Sequence, residues 1–351
     1  MLERLLIVGL GSIGRRHARL ARELVAGLQI AALRQQVSPD MAGSGVDYCM
    51  TSLAEALKFC PQAAVIANPA SHHLEVASDL ARAGVHLLVE KPISNTTRGL
   101  SELIENCASR GLTLMTGYNL RFLPSLVRFR ELLEARHVGR VLSVRAEVGQ
   151  FLPSWRPGSD YRQSVSAQAA LGGGVLLELS HEIDYLRWLF GEVGWVSAVQ
   201  RKQSGLETDV EDTAHLVLGF AETRAAPSLI ASLSMDFIRH DTTRCCTAIG
   251  ETGSLRWNAV TGTVEVFEQG GDAWRSLYAH PHQRDESYLA EWRHFLKCIA
   301  DGSAPLISGY DGLAVLQIVE AARRSSSTGA TVPVVSEDSG LRDPGETAWK
   351  S

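Results

Sequence analysis

The sequence predicts an α/β protein: an N-terminal doubly wound parallel sheet, followed by a C-terminal α/β domain with a large open, mostly antiparallel sheet. Three observations carry this. An apolar run, Leu5 to Gly9, opens into the turn Gly9-Leu10-Gly11-Ser12-Ile13-Gly14. From there to about residue 120, short apolar runs alternate with segments of helical period. Beyond that point the hydrophobic period shortens to two.

The parallel strands are expected at Leu5 to Gly9, Gln29 to Leu33, Ala63 to Ala67, His86 to Val89 and Thr113 to Thr116. They are apolar on both faces, as strands covered by helices on both sides must be. The intervening helices are expected at Ile13 to Leu24, Leu53 to Phe59, His73 to Ala83 and Gly99 to Ser109. In the second half, Leu142, Val144, Ala146 and Val148 alternate with Ser143, Arg145 and Glu147, and Ser228 to Phe237 repeats the scheme. Such alternation belongs to antiparallel strands with one face buried. Further strands are expected near Val196 to Arg201, Ala214 to Phe220, Thr243 to Ile249 and Thr263 to Phe267, with helices at Leu176 to Phe190, Tyr288 to Ala300 and Gly312 to Arg324. The domains are accordingly drawn as 1–121 and 122–333, with a frayed polar tail at 334–351.

With 34 Lys and Arg against 39 Asp and Glu in 351 residues, the net charge of -5 offers no basic excess for phosphate backbones, so a nucleic-acid partner is not expected. Leu5 to Leu10 is too short for a signal-peptide core, and no apolar stretch approaches a membrane span. The six cysteines form no CxxC pair and no Cys/His spacing suited to zinc. Reduced thiols in a cytoplasmic protein without a bound metal are the expectation.

The glycine turn is where the chemistry becomes specific. Gly9 permits a tight turn, Gly11 lets a diphosphate approach the backbone, and Gly14 lets the helix pack on the strand. The free N–H groups at Ser12 and Ile13 open that helix and can hold phosphate oxygens. A strand before and a helix after make this a dinucleotide signature rather than an incidental turn. No acidic residue lies between Glu23 and Asp40 to grip a ribose 2′-hydroxyl; the second strand runs instead into Arg34. A guanidinium there can pair with a 2′-phosphate or stack on adenine, which favours NADP over NAD.

Four further segments follow in order: Ala67-Asn68-Pro69-Ala70-Ser71-His72-His73, Glu90-Lys91-Pro92, Gly117-Tyr118-Asn119-Leu120-Arg121-Phe122, and Gly172-Gly173-Gly174 leading to His181-Glu182-Ile183-Asp184. With the glycine turn they make residues 4 to 330 resemble the glucose-fructose oxidoreductase, inositol dehydrogenase and MocA family. The resemblance implies a Rossmann domain, then an α/β domain, and a nicotinamide-dependent dehydrogenase or reductase acting on a sugar, nucleotide sugar or polyol. It places Lys91 beside the nicotinamide and the reacting oxygen, and gives His181 the role of proton donor or acceptor. Asn68, Pro69, His73 and Glu90 fall among the cofactor contacts, and Tyr118, Asn119 and Arg121 at the domain junction among the substrate contacts. Homodimers or homotetramers formed through the open sheet are expected by the same analogy, as are two rival activities, redox-assisted glycoside cleavage and non-catalytic dinucleotide sensing.

The residues themselves agree in outline. Lys91 directly follows a doubly buried strand, at the carboxyl end where open sheets bind ligands, and Pro92 cannot continue the ladder. On a continuous helix from Leu176 to Phe190, Leu177, His181 and Asp184 would share one face, with Glu178 a turn behind His181. Many family members carry Asp or Asn four residues before the histidine, where this chain has Leu177, which leaves the role of Glu178 open. Asp184 either orients His181 or belongs to a structural network. An imidazole titrating near neutrality suits proton transfer, and an ammonium suits stabilisation of an alkoxide. Leu152 to Gln168 carries Trp155, Arg156, Tyr161 and Arg162 among Pro, Ser and Gly; it either lines a site for a hydroxylated or anionic ligand or is a solvated loop.

Overall fold

The computed structural model describes residues 2–35, 45–222, 228–281 and 283–334. Of the tail expected at 334–351, residues 335–351 lie outside them. Among the described residues there are two compact units, the first running to Tyr118 and including Tyr288–Leu316, the second comprising Asn119–Ser287 and residues 317–334.

In the first unit, β1 (Arg4–Val8), α1 (Ser12–Leu24), β2 (Gln29–Leu33), β3 (Tyr48–Met50), α2 (Leu53–Lys58), β4 (Ala63–Ile66), α3 (His73–Arg82), β5 (His86–Glu90), α4 (Leu100–Ser109) and β6 (Leu114–Gly117) follow in turn. The strands form one sheet in the order β3-β2-β1-β4-β5-β6, every pairing parallel. Leu5, Leu6, Ile7, Ile30, Val65 and Leu88 are fully buried, which is why these strands read as continuous apolar runs. Strand order reverses between β1 and β4, so the crevice outside their carboxyl ends is the ligand position of such sheets. β3 has only three residues, too few to show a period in the sequence.

The second unit opens with α5 (Pro124–Glu134) and β7 (Val141–Gly149), then α6 (Val175–Glu178), α7 (His181–Phe190), β8 (Val193–Arg201), β9 (Thr213–Phe220), β10 (Ile230–Asp236), β11 (Thr243–Gly250), β12 (Gly253–Asn258), β13 (Thr263–Glu268) and β14 (Arg275–Ala279). The chain continues through α8 (Glu286–Asp301) and α9 (Gly309–Thr328) to β15 (Val332–Pro333). Its nine-stranded sheet has the order β14-β13-β12-β11-β7-β10-β9-β8-β15, antiparallel throughout except for the β7/β10 pair. The alternation along β7 buries Val144, Ala146 and Val148 but leaves Leu142 48% exposed, a correction to the expected face. On the other face Val199, Val217 and Ile230 stand exposed.

The expected continuous helix from Leu176 to Phe190 is in fact two. Ser180 N–H bonds to the Leu177 carbonyl and Glu182 N–H to that of Leu179, three residues back instead of four, so the chain tightens between α6 and α7. The phase linking Leu177 and Glu178 to His181 is lost there, and His181 becomes the first residue of α7, after Ser180 at the N-cap. α5 was not anticipated, although Pro124 in its first turn and buried Leu126, Phe129 and Leu132 mark it plainly. All six cysteines are free. Among the described residues no helix is long and apolar enough to cross a membrane.

Candidate active site

In the first unit the glycine turn has the geometry that its sequence implied. Gly9 has φ +86°, and a Cβ there would lie 2.7 Å from the Asn68 nitrogen. A Cβ on Gly14 would lie 2.0 Å from the Gly9 carbonyl oxygen, so α1 can approach β1 only without one. At Gly11 the same position meets nothing within 4 Å, leaving open space beside the N-terminus of α1. Helix-start N–H groups at Ser12 and Ile13 have no carbonyl four residues back within the helix.

Polar atoms without protein partners cluster on the neighbouring strand ends. Arg34, just past β2, has Nη1 buried with no hydrogen-bond partner, and Asn68 Oδ1 and Ser71 Oγ, just past β4, are likewise buried and unpaired. Buried polar groups are ordinarily satisfied, so an unsatisfied set at the carboxyl end of a parallel sheet fits a ligand bearing hydroxyls and phosphates. The residues present therefore fit a nicotinamide dinucleotide.

His73, expected among the cofactor contacts, is used otherwise. Its Nδ1 lies 2.9 Å from the Pro92 carbonyl oxygen and its Nε2 2.7 Å from that of Asn68, and the ring is buried. Burial holds its pKa below the ordinary histidine range, so the neutral ring carries one N–H and donates to one of these two carbonyls, between the loop after β4 and the loop after β5. Glu90 is also turned inward: Oε1 lies 2.8 Å from His17 Nε2, and Oε2 accepts the Lys91 N–H at 3.1 Å. Burial would raise the Glu90 carboxyl, but the His17 hydrogen bond and the Lys91 charge outweigh it and hold the group below its usual range. Lys91 itself is half-buried, and its peptide bond to Pro92 is cis. Tyr118, at the end of this unit, is fully buried.

In the second unit His181 is partly exposed at the start of α7. Glu178 accepts a hydrogen bond from Ser166 Oγ at 2.7 Å. Asp184 is committed to Arg121: Oδ2 to Nε is 3.0 Å and Oδ1 to Nη2 is 2.6 Å, with both side chains buried. The expectation that Arg121 and Asp184 meet substrate thus gives way to a buried ion pair tying the loop ahead of α5 to α7. Asn119 is buried too, its Nδ2 donating to Ser287 Oγ at 2.9 Å. In the loop after β7, Trp155 donates its indole N–H to the Gln150 carbonyl and packs edge-on against Phe237, and the Tyr161 hydroxyl accepts the Glu207 N–H. Arg162 bonds both Asp160 and Glu207 at 2.8 Å, so its charge is already met by carboxylates; Arg156 is exposed.

Sequence reasoning missed Ser71, although it sits in a quoted segment, and missed His17, Trp292 and Glu291. Trp292 Nε1 bonds His17 Nδ1 across 275 positions, a separation that no local pattern reveals.

Residues 4–118 match the family model described as "Oxidoreductase family, NAD-binding Rossmann fold", and residues 130–334 the model described as "Oxidoreductase family, C-terminal alpha/beta domain". The chain belongs to the Gfo/Idh/MocA oxidoreductase family. It is an NAD(P)-dependent oxidoreductase, and the glycine turn on α1 lies within the segment that matches the NAD-binding model. The chain is similar to myo-inositol 2-dehydrogenase of Thermotoga maritima, 27% identical over 331 residues that cover 91% of this chain and 95% of that protein. It is also similar to the rhizopine catabolism protein MocA of Rhizobium meliloti, 25% identical over 91% of this chain and 93% of that one. Among solved structures, levoglucosan dehydrogenase in complex with NADH superposes with a TM-score of 0.82 at 21% identity, covering 95% of this chain and 99% of that chain. As Gfo/Idh/MocA members share both folds, the parallel and nine-stranded sheets are the family's two domains.

Proposed function

We propose that this oxidoreductase transfers a hydride between a nicotinamide dinucleotide and a hydroxyl or carbonyl carbon of a sugar, nucleotide sugar or related polyol, with Lys91 and His181 as its catalytic pair. The dinucleotide, when bound, supplies the hydride acceptor or donor. Gly9, Gly11, Gly14, Ser12 and Ile13 hold its diphosphate, and Asn68 and Pro69 border it. The Lys91 ammonium donates a hydrogen bond to the substrate oxygen and stabilises the alkoxide there; the His181 imidazole takes or returns the proton on that oxygen. The observation that carries the reading is the place of Lys91, one residue beyond β5 at the carboxyl end of the parallel sheet, its main chain braced by Glu90. The relatives named inositol dehydrogenase and MocA support a polyhydroxylated substrate.

NADP is the preferred cofactor on this reading, because the unpartnered Arg34 Nη1 is a cation with capacity for a 2′-phosphate. The uncovered sheet face with Val199, Val217 and Ile230 is the homo-oligomer surface, and the free cysteines suit a cytoplasmic enzyme. A panel of sugars, nucleotide sugars and polyols, followed at the reduced-nicotinamide absorbance with NAD⁺ and NADP⁺, tests the proposal. Lys91→Ala and His181→Ala are each expected to lower kcat by about 10²-fold or more while retaining dinucleotide binding; undiminished turnover in both removes the mechanism. Arg34→Ala is expected to weaken NADPH by about tenfold and NADH little; equal losses for both would assign Arg34 to adenine instead.

A further inference from the structure

We infer that His17, held by Trp292, is a positioning residue for Lys91: it fixes the Glu90 carboxylate that braces the lysine's main chain. This rests on the reading of Lys91 as catalytic. Trp292 Nε1 lies 2.9 Å from His17 Nδ1, and His17 Nε2 lies 2.8 Å from Glu90 Oε1. An indole N–H can only donate, so Nδ1 has to accept. The ring proton is thereby placed on Nε2 and donated to Glu90. The second carboxylate oxygen accepts the Lys91 N–H. Indole, imidazole, carboxylate and main chain thus form one directional series, with Trp292 and His17 fully buried and Glu90 only 7% exposed.

The groups around Glu90 leave this series as what keeps it charged. Arg16, on α1, lies with its guanidinium 4.8 Å from the centre of the Tyr288 ring of α8. That tyrosine is pushed above its ordinary range by burial and then by Glu90. His73, on α3, is held low by burial and lies between two carbonyls. Glu291, on α8, is fully buried, and neither of its carboxyl oxygens has a hydrogen-bond partner. Burial and then the charge of Glu90 push it well above the carboxylate range. Of two neighbouring acids in one buried site only one ionises, and it is the one with donors. Those donors are the His17 N–H and the Lys91 N–H, assisted by the Lys91 charge. Without the imidazole donor, the Glu90 carboxyl rises toward neutrality and releases its hold on Lys91 as the medium becomes mildly acidic.

The test uses the full chain with ¹⁵N-labelled histidine, and His17→Leu, His17→Gln, Trp292→Phe and Lys91→Ala variants. Imidazole ¹⁵N shifts near neutral pH are expected to show His17 protonated on Nε2 alone; a proton on Nδ1 overturns the inference, whether or not a substrate is turned over. Turnover is read with myo-inositol as probe and either oxidised dinucleotide. His17→Leu is expected to lose kcat about tenfold at mildly acidic pH, equivalent to a shift of about one pH unit in the acidic limb, and to recover in alkali. Dinucleotide affinity, read by NADPH fluorescence, stays near that of the unaltered enzyme. His17→Gln, whose amide can donate to Glu90 in the same way, restores the acidic limb, and Trp292→Phe moves it partway. A loss equal at every pH, or none in His17→Leu and Trp292→Phe while Lys91→Ala is inactive, overturns the inference. Full turnover in Lys91→Ala instead overturns the reading of Lys91 and leaves the tautomer result standing.

Discussion

Removing the Asp184 carboxylate takes two charge-assisted bonds from the Arg121 guanidinium inside the second unit. The two side chains are only 1% and 4% exposed, and two charge-assisted bonds of 2.6 and 3.0 Å join them. Water cannot replace the lost carboxylate at that burial, so Asp184→Ala removes this counter-charge from a buried guanidinium, which costs about 3–5 kcal/mol. For a unit of this size each kcal/mol moves the midpoint by about 2–4 °C, giving a fall of roughly 6–20 °C. Scanning calorimetry of Asp184→Ala, Arg121→Met and the double variant measures this. The double variant should lose less than the sum of the singles by about 1 kcal/mol or more, because removing the second partner relieves the charge left by the first. Asp184→Asn, which keeps one acceptor, falls between. Were Asp184 there to orient His181, Asp184→Ala would lose turnover with a nearly unchanged melting curve, and that result would refute the structural reading.

Two further variants probe the first unit. Gly14→Ala puts a Cβ 2.0 Å from a backbone oxygen that cannot swing away, so α1 must shift from β1. Dinucleotide affinity is expected to fall by more than tenfold and stability by about 1–3 kcal/mol; unchanged NADPH titration would argue against this turn as the diphosphate site. Glu291→Gln tests the buried acid. Because its folded pKa is raised, the folded chain keeps a proton that the unfolded chain releases above the ordinary value of 4.5, so stability falls as pH rises from there toward the folded value. The amide cannot ionise. Its stability relative to the unaltered chain, read from urea melts, should be least in acid and grow toward neutrality; a difference independent of pH would show that Glu291 is ionised in the fold.

Local pattern carried much of what is described. β1, β2, β4, β5 and β6 are legible because each is largely buried on both faces, and the turn from Gly9 to Gly14 because its glycine spacing follows a strand and opens a helix. Where burial is one-sided, β7 and β10 are legible for the same reason. β12 and β14 were not anticipated, and the break between α6 and α7 is invisible to a periodicity that assumes one continuous helix.

The sequence by itself determined the fold class and the strand–turn–helix form of the glycine segment, since both follow from local spacing and from a hydrophobic period. Only the tertiary structure decided how the charged residues are spent. Arg121 and Asp184 lie 63 positions apart and neutralise one another, His73 lies between two carbonyls, and His17 meets Trp292 across 275 positions. A polar side chain's role depends on which partner it finds when water is excluded, and that partner is chosen by packing between distant segments, not by spacing along the chain.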